Sequence, residues 1–200
     1  MDAYSYLARG HVFANAQTGN MLLFGVNLAS GQFQNALHYL CPVLAFGFGI
    51  FLAEFIHFQK IQKVHWRQLI LLVEIIILFS VAFISFEQNL LANSLTSFAC
   101  GMQVQAFRKI HGKGYATTMC IGNLRTGTHE LCNFLCTKKV QHLQSGLLYY
   151  LIILAFILGA ILGNICIQSF FFKSIWISVA LLIVAFVLMF IDREKDEAFQ

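Results

Sequence analysis

Four segments of this chain, about Tyr39–Phe58, Gln68–Phe86, Leu147–Phe170 and Ser174–Ile191, are apolar over close to the roughly 20 residues that a helix needs to cross a bilayer. Hydrocarbon offers no water to backbone N–H and C=O groups, so such segments are confined to helices or a closed barrel. Their length, and a single proline in 200 residues, select the helix. Composition agrees: 58% of residues are hydrophobic and 11% charged, with a mean hydropathy of +0.72, whereas soluble domains carry about 25% charged residues. The formal charge of +4 is distributed in short basic clusters between apolar runs, which excludes a nucleic-acid-binding face. Cysteines at 41, 100, 120, 132, 136 and 166 fall mostly in apolar segments, where thiols behave as small buried hydrophobes, and no structural disulfide is expected. Met1–Tyr6 has neither the basic start nor the apolar core of a signal peptide.

A fifth segment, Leu90–Phe107, is laced with Asn93, Ser94, Thr96, Ser97, Gln103 and Gln105. It reads as a spanning helix that faces protein or water rather than lipid.

The chain also repeats itself. Thr18-Gly19-Asn20 is echoed by Ile121-Gly122-Asn123, and each pair precedes an apolar segment carrying Leu-Ala-Phe, at Leu44-Ala45-Phe46 and Leu154-Ala155-Phe156. Two homologous membrane halves are expected, residues 1–89 and 90–191, followed by a charged cytoplasmic tail at 192–200. The Gly-Asn pairs sit in Gly10–Gly31 and Gly114–Thr137, stretches too polar for lipid and too apolar for open loops. Non-helical backbone at membrane depth is tolerated only inside protein or along a cavity, so each is read as a broken or re-entrant element leading into a short helix. An interfacial amphipathic helix is the alternative.

Basic residues orient the halves. If neither Gly-Asn element crosses, then Lys60, Lys63, Arg67, Arg108, Lys109, Lys113, Lys138, Lys139, Arg193 and Lys195 share one side, leaving Arg9 and Lys173 opposite. By the positive-inside rule that shared side is cytoplasmic. Each half then has three crossings, an odd number, and the second half is inverted relative to the first, as in many secondary transporters. The fold class expected is an all-α polytopic transmembrane bundle of two three-helix inverted repeats with its first helix truncated. The truncation is read from spacing: Asp2-Ala3 precedes Gly19 by the same interval as Gln105-Ala106 precedes Gly122, but only Met1 precedes Asp2. A mis-assigned start or trimmed sequence is expected, with a genuine five-span protein as the alternative.

Asp2-Ala3, Phe13, Asn15, Thr18-Gly19-Asn20, Gly101-Met102-Gln103 with Arg108, and Tyr115, Thr117, Thr118 and Gly122-Asn123 together resemble the YoaK-like family of uncharacterised multi-pass bacterial membrane proteins, over roughly Met1–Ile191. The resemblance implies a plasma-membrane protein of about six spans whose first helix ends at the Asp-Ala. It implies no particular activity.

Several side chains are candidates for a site. A Gly permits close backbone approach, so the following Asn and helix N-terminus could present N–H groups to a ligand. Asp2, Asn15, Thr18, Gly19, Asn20, Gln103, Gln105, Thr117, Thr118, Gly122 and Asn123 are therefore candidates for binding a small-molecule solute. The alternative is that they satisfy backbone freed by the break. Asp2 is expected to face Gln103, Gln105 or Arg125. Glu74, amid Leu71–Ile77, is a functional-site hypothesis by default because a carboxylate at mid-span costs about 2.5 kcal/mol or more. It is read as a proton-coupling site, with a neutral Glu bonded to a neighbouring helix as the alternative. Glu54 is expected to pair with Lys or Arg. Arg125, His129, Cys132 and Cys136 share a helix face, but one face seldom supplies a metal's ligands, and neither metal nor cofactor is expected. Gly49-x-x-x-Ala53 and Gly159-x-x-x-Gly163 are small-xxx-small patterns for close helix packing, against each other or matching partners, with a homodimer face as the competing use.

The lipid bilayer is thus the expected partner. The expected function is a small-solute permease or channel-like transporter, with a non-transporting scaffold or regulatory component as the alternative. No nucleophile, base or metal constellation supports an enzyme.

Overall fold

The structure is a computed structural model and describes residues 1–59, 66–107, 109–110, 113–114 and 120–198. Arg108, Tyr115, Thr117 and Thr118, with Lys60 and Lys63, lie outside the described residues, as do the side chains of Lys109, Lys113, Arg193 and Lys195. The fold is helical: α1 (Asp2–Ala8), α2 (Gln17–Ala29), α3 (Phe33–Phe58), α4 (Trp66–Val81), α5 (Asn89–Ala106), α6 (Cys120–Thr137), α7 (Val140–Phe170) and α8 (Ile175–Ala198). A two-residue antiparallel ladder, Lys109–Ile110 with Lys113–Gly114, is the sole extended pairing among the described residues.

Every expected apolar span is a helix. Phe33–Phe58 and the run Val140–Met189, which covers α7 and α8 as far as Met189, are long and apolar enough to cross a membrane. Bounds shift where local chemistry intervenes. The fourth helix stops at Val81, short of the expected Phe86, because Arg9 Nη2 takes the Val81 carbonyl at 3.0 Å. Three-residue turns then close the chain, Phe83 N to Ser80 O and Ile84 N to Val81 O. At Phe171 the backbone φ is +47°, which ends α7 and lets a short 3-10 turn lead into α8.

Two compact units are present, one formed by Met1–Ala106 with Gly163–Gln200 and the other by Phe107–Leu162. These boundaries differ from the 89/90 boundary of the sequence repeat because α5, the first helix of the second repeat, packs on α3 and α4 of the first. Glycines make the α3–α5 contact close. A Cβ at Gly49 would collide with the Phe98 carbonyl, and one at Gly101 with the Phe46 carbonyl. Each helix therefore presents a glycine to the other's backbone, beside fully buried Ala53. Gly49 thus packs on the Phe98 and Met102 backbone of α5. A Cβ placed on Gly163 would lie 3.3 Å from the Ala3 Cβ of α1, whereas nothing lies within 4 Å of one placed on Gly159.

In the second unit, α6 and the start of α7 meet at small residues. Gly127 packs under Tyr149 and Tyr150, and Gly146 under Leu131. Glu130 Oε2 pairs with His142 Nδ1 at 2.7 Å, and the Thr128 and Tyr150 hydroxyls are 2.9 Å apart.

Candidate functional site: a buried polar seam

The first unit holds a break between two helices. After Arg9, Gly10 and His11 take φ of +89° and +59°, a left-handed pair that turns the chain away from α1; glycine adopts this without the steric cost of a Cβ. The following irregular segment must satisfy its own polar groups, and α2 supplies the means. Asn20 Oδ1 accepts the Phe13 N–H at 3.0 Å, while Asn20 Nδ2 donates to Phe13 O at 2.7 Å and Gln17 Oε1 at 2.8 Å. Gln17 Nε2 donates to Ala14 O at 2.7 Å and Ser97 Oγ at 3.4 Å, tying the break to α5. The Phe13 ring lies over Gly19, and a Cβ there would come within 2.9 Å of it.

Both ends of the break are anchored to other helices. Asp2 accepts the Asn15 N–H at 2.7 Å. Arg9 is fully buried and binds neutral oxygens: Nε to the Tyr4 hydroxyl at 2.9 Å, Nη1 to Ser85 O at 3.2 Å and Asn89 Oδ1 at 3.3 Å, and Nη2 to Val81 O at 3.0 Å. Its guanidinium also sits 4.0 Å from the Phe172 ring centroid. The bond to Val81 O places a cation at the C-terminal end of α4, where the helix dipole favours it. The Arg9 carbonyl in turn accepts from Asn93 Nδ2 at 2.7 Å.

Along α5 the buried polar face is Asn89, Asn93, Thr96, Ser97 and Cys100. Across from it lies Glu74 of α4, entirely buried and close enough to Cys100 for an electrostatic interaction. Neither Glu74 oxygen has a hydrogen-bond partner, and the same holds for Asn15 Oδ1, Asn93 Oδ1 and both polar atoms of Gln68. Buried polar groups are ordinarily hydrogen-bonded, so these unmet atoms set the α4–α5 region and the break apart from the rest of the described core.

Of the sequence candidates, Asp2, Asn15, Gly19 and Asn20 come together here. Thr18 is exposed on α2. Asp2 meets Asn15 rather than Gln103, Gln105 or Arg125, because the break folds back over the start of α1. Gln105 Nε2 donates to Glu54 Oε2, an α3–α5 contact; of the basic residues expected near Glu54, Lys60, Lys63 and Arg108 lie outside the described residues. Gln103 is half-buried on α5, and Asn123 is buried in the first turns of α6. Thr117 and Thr118 lie outside the described residues. Arg125, His129, Cys132 and Cys136 form an exposed face of α6, with a His129 ring nitrogen 3.1 Å from Asn133 Nδ2. Among the described residues no three His, Cys, Asp or Glu side chains gather in a metal-binding group.

Sequence reasoning passed over Gln17, Gln68 and Arg9 as site residues. Gln68 carried a signal, since an amide in an apolar run is costly unless paired. Arg9 carried none beyond its charge, because three of its four partners, Ser85 O, Asn89 Oδ1 and Val81 O, lie more than seventy residues away in sequence.

A helical chain with stretches fit to cross a bilayer and a buried polar seam among its helices is an integral membrane protein. It belongs to DUF1275, a family of proteins of unknown function, whose profile matches residues 1–188. The resemblance to the YoaK-like family read from the Gly-Asn motifs is thereby confirmed. The chain is similar to the transmembrane protein YoaK (UPF0700) of Bacillus subtilis (strain 168), with 26% identity over 191 residues that cover 91% of this chain and 84% of that protein. No solved structure matches it.

Proposed function

We propose that this protein is a multi-pass, non-enzymatic small-solute permease or channel-like carrier of the plasma membrane. The break ahead of α2 and the polar face of α5 line its pathway, and Glu74 couples protons to passage. The observation that carries the reading is Glu74: a fully buried carboxylate with both oxygens unpartnered is expensive at membrane depth and is retained there for use. Asn15 and Asn93, each with an unpartnered oxygen, extend the polar surface toward the break. Asn20 and Gly19 act as the wall of this path, since the Asn20 amide is committed to Phe13 and Gln17.

The two halves are inverted repeats in this reading, with the basic loops and tail cytoplasmic. It is supported by the charge distribution and by the placement of Gly-Asn at the third and fourth residues of both α2 and α6. Reporter fusions at Ser30 and Gln141 then fall on opposite sides of the membrane; the same side for both overturns the inversion. Transport is tested by solute uptake into proteoliposomes. Glu74→Gln and Asn15→Ala proteins that fold as the wild type lose uptake, and undiminished uptake in both contradicts the pathway. A non-transporting scaffold is the second reading, favoured by the structural commitment of Asn20, and it demands co-purification of a partner without uptake.

A further inference from the structure

Helix α4 has 16 residues and is about 24 Å long at the helical rise. Polar or irregular structure begins at both of its ends. At the first, the Trp66 ring stands 4.5 Å from the His57 ring of α3, and the Arg67 guanidinium lies 5.7 Å from the Trp66 ring. At the second, the helix stops at Val81 and gives way to turns and a loop in which Ser85 and Glu87 are exposed. Irregular backbone exposed to lipid does not occur within hydrocarbon, so on this edge the hydrocarbon ends by Val81, about 23 Å from Trp66 along the axis. Any tilt of α4 makes that slab thinner still.

Helix α8, which packs on α4, gives the same span. Its Trp176 stacks on Phe79 of α4, with centroids 5.6 Å apart and ring planes 12° from parallel; Phe83 is also at 5.6 Å, and the Lys173 ammonium is 5.9 Å from the Trp176 ring. From Ile175 the sequence is uncharged as far as Ile191, before Asp192, a run of about 24 Å. Between these limits Leu72, Ile76 and Phe79 of α4 and Leu181, Val184 and Leu188 of α8 are exposed. The edge is therefore an apolar band with an indole and a cation at each margin. Such groups gather at the headgroup level of a bilayer, whose hydrocarbon is ordinarily about 30 Å thick. Trp66 and Phe79 are only about 20 Å apart along α4.

We infer that the α4–α8 edge binds a locally thinned bilayer, with about 20–24 Å of hydrocarbon between its two aromatic margins. Its partner is phospholipid with short or compressed acyl chains. Arg67 and Lys173 meet the headgroup phosphates of the two leaflets, a charge complementarity that lipid supplies at both margins at once. The inference rests on the multi-pass reading and adds a geometry to it. Glu74 lies about 12 Å from the Trp66 end of α4 and about 10 Å from the Val81 end, so the thinning shortens the depth at which the buried carboxylate must be reached from either side.

The test is tryptophan quenching in the purified full chain, held in lipid nanodiscs of mixed dimyristoleoyl and dierucoyl phosphatidylcholine. Trp66 and Trp176 are the two tryptophans of the chain, so its emission reports this edge. One lipid of the equimolar pair carries brominated chains, then the other, and each reading is normalised to quenching in that brominated lipid alone. The inference predicts that the shorter myristoleoyl chains are favoured at the edge by about twofold or more. Trp66→Phe and Trp176→Phe show the same preference at each margin separately, and wild-type emission decides the matter if either variant fails to fold. Equal quenching by the two lipids, or stronger quenching by erucoyl chains, overturns the thinned edge. Quenching by neither shows protein covering the edge and overturns it as well. The permease reading falls separately: uptake indifferent to Glu74 and Asn15 removes that reading whatever the chain preference. Uptake lost in Glu74→Gln with no chain preference leaves the permease standing and removes the thinning alone.

Discussion

Gly19-Asn20 and Gly122-Asn123 occupy the same places in their helices, the third and fourth residues of α2 and α6, yet the two pairs have different surroundings. The first pair is enclosed. Gly19 lies beneath the Phe13 ring, and Asn20 holds the Phe13 N–H and C=O together. The second glycine is open, since a Cβ on Gly122 would meet nothing within 4 Å. Seven residues before Asn20 stands Phe13; seven before Asn123 stands Ala116, which has no ring to cover a glycine. Ten residues before Gly19 is Arg9, and ten before Gly122 is Gly112. At the first dipeptide the helix start also closes the loop before it, through Asn20 on the Phe13 backbone.

The comparison is broken most severely at its anchors. Arg9→Ala removes every side-chain bond from the break to the end of α4 and the start of α5, so unfolding of the purified protein is predicted to be easier by on the order of 4 kcal/mol. Lys139→Ala, at an exposed residue beyond α6, is predicted to fall within about 0.5 kcal/mol of wild type. Equal losses in the two variants contradict the claim that Arg9 clamps the first region.

Asn20→Ala comes next. It leaves the Phe13 N–H and C=O unmet in a partly buried loop, and a loss of about 3 kcal/mol is expected in denaturant unfolding. A loss below about 1 kcal/mol would mean that water or a ligand takes over those groups, and that Asn20 is a binding residue after all. Glu74→Leu should act in the opposite direction: removing an unpartnered buried carboxylate stabilises the fold by about 2 kcal/mol while uptake is lost. A destabilised Glu74→Leu protein would show that Glu74 is a structural bonding group.

The helices were legible in the sequence because apolar runs of membrane length leave the backbone one solution, and every expected span became one. The polar character of α5 was legible too, and Glu74 was marked by its apolar neighbours. The partners of these residues were not legible. Gly101 was visible as part of a motif, but its close approach to the Phe46 backbone depends on how α3 and α5 cross, a tertiary fact. The Val81 end of α4 depends on a guanidinium more than seventy positions earlier, and no local pattern within Gln68–Phe86 contains it. Asn20 likewise read as ligand or loop-closer on equal terms until the Phe13 backbone was placed beside it.

The smallest effects test the comparison most directly, through melting of Gly19→Ala and Gly122→Ala measured side by side in the same nanodiscs. The account predicts opposite signs. Gly19→Ala is destabilised by about 1–3 kcal/mol because the Phe13 ring must move, and Gly122→Ala is stabilised by about 0.5–1 kcal/mol because alanine favours a helix over glycine and meets no obstruction. Shifts of the same sign in both variants would contradict the claim that Gly19 is enclosed and Gly122 open.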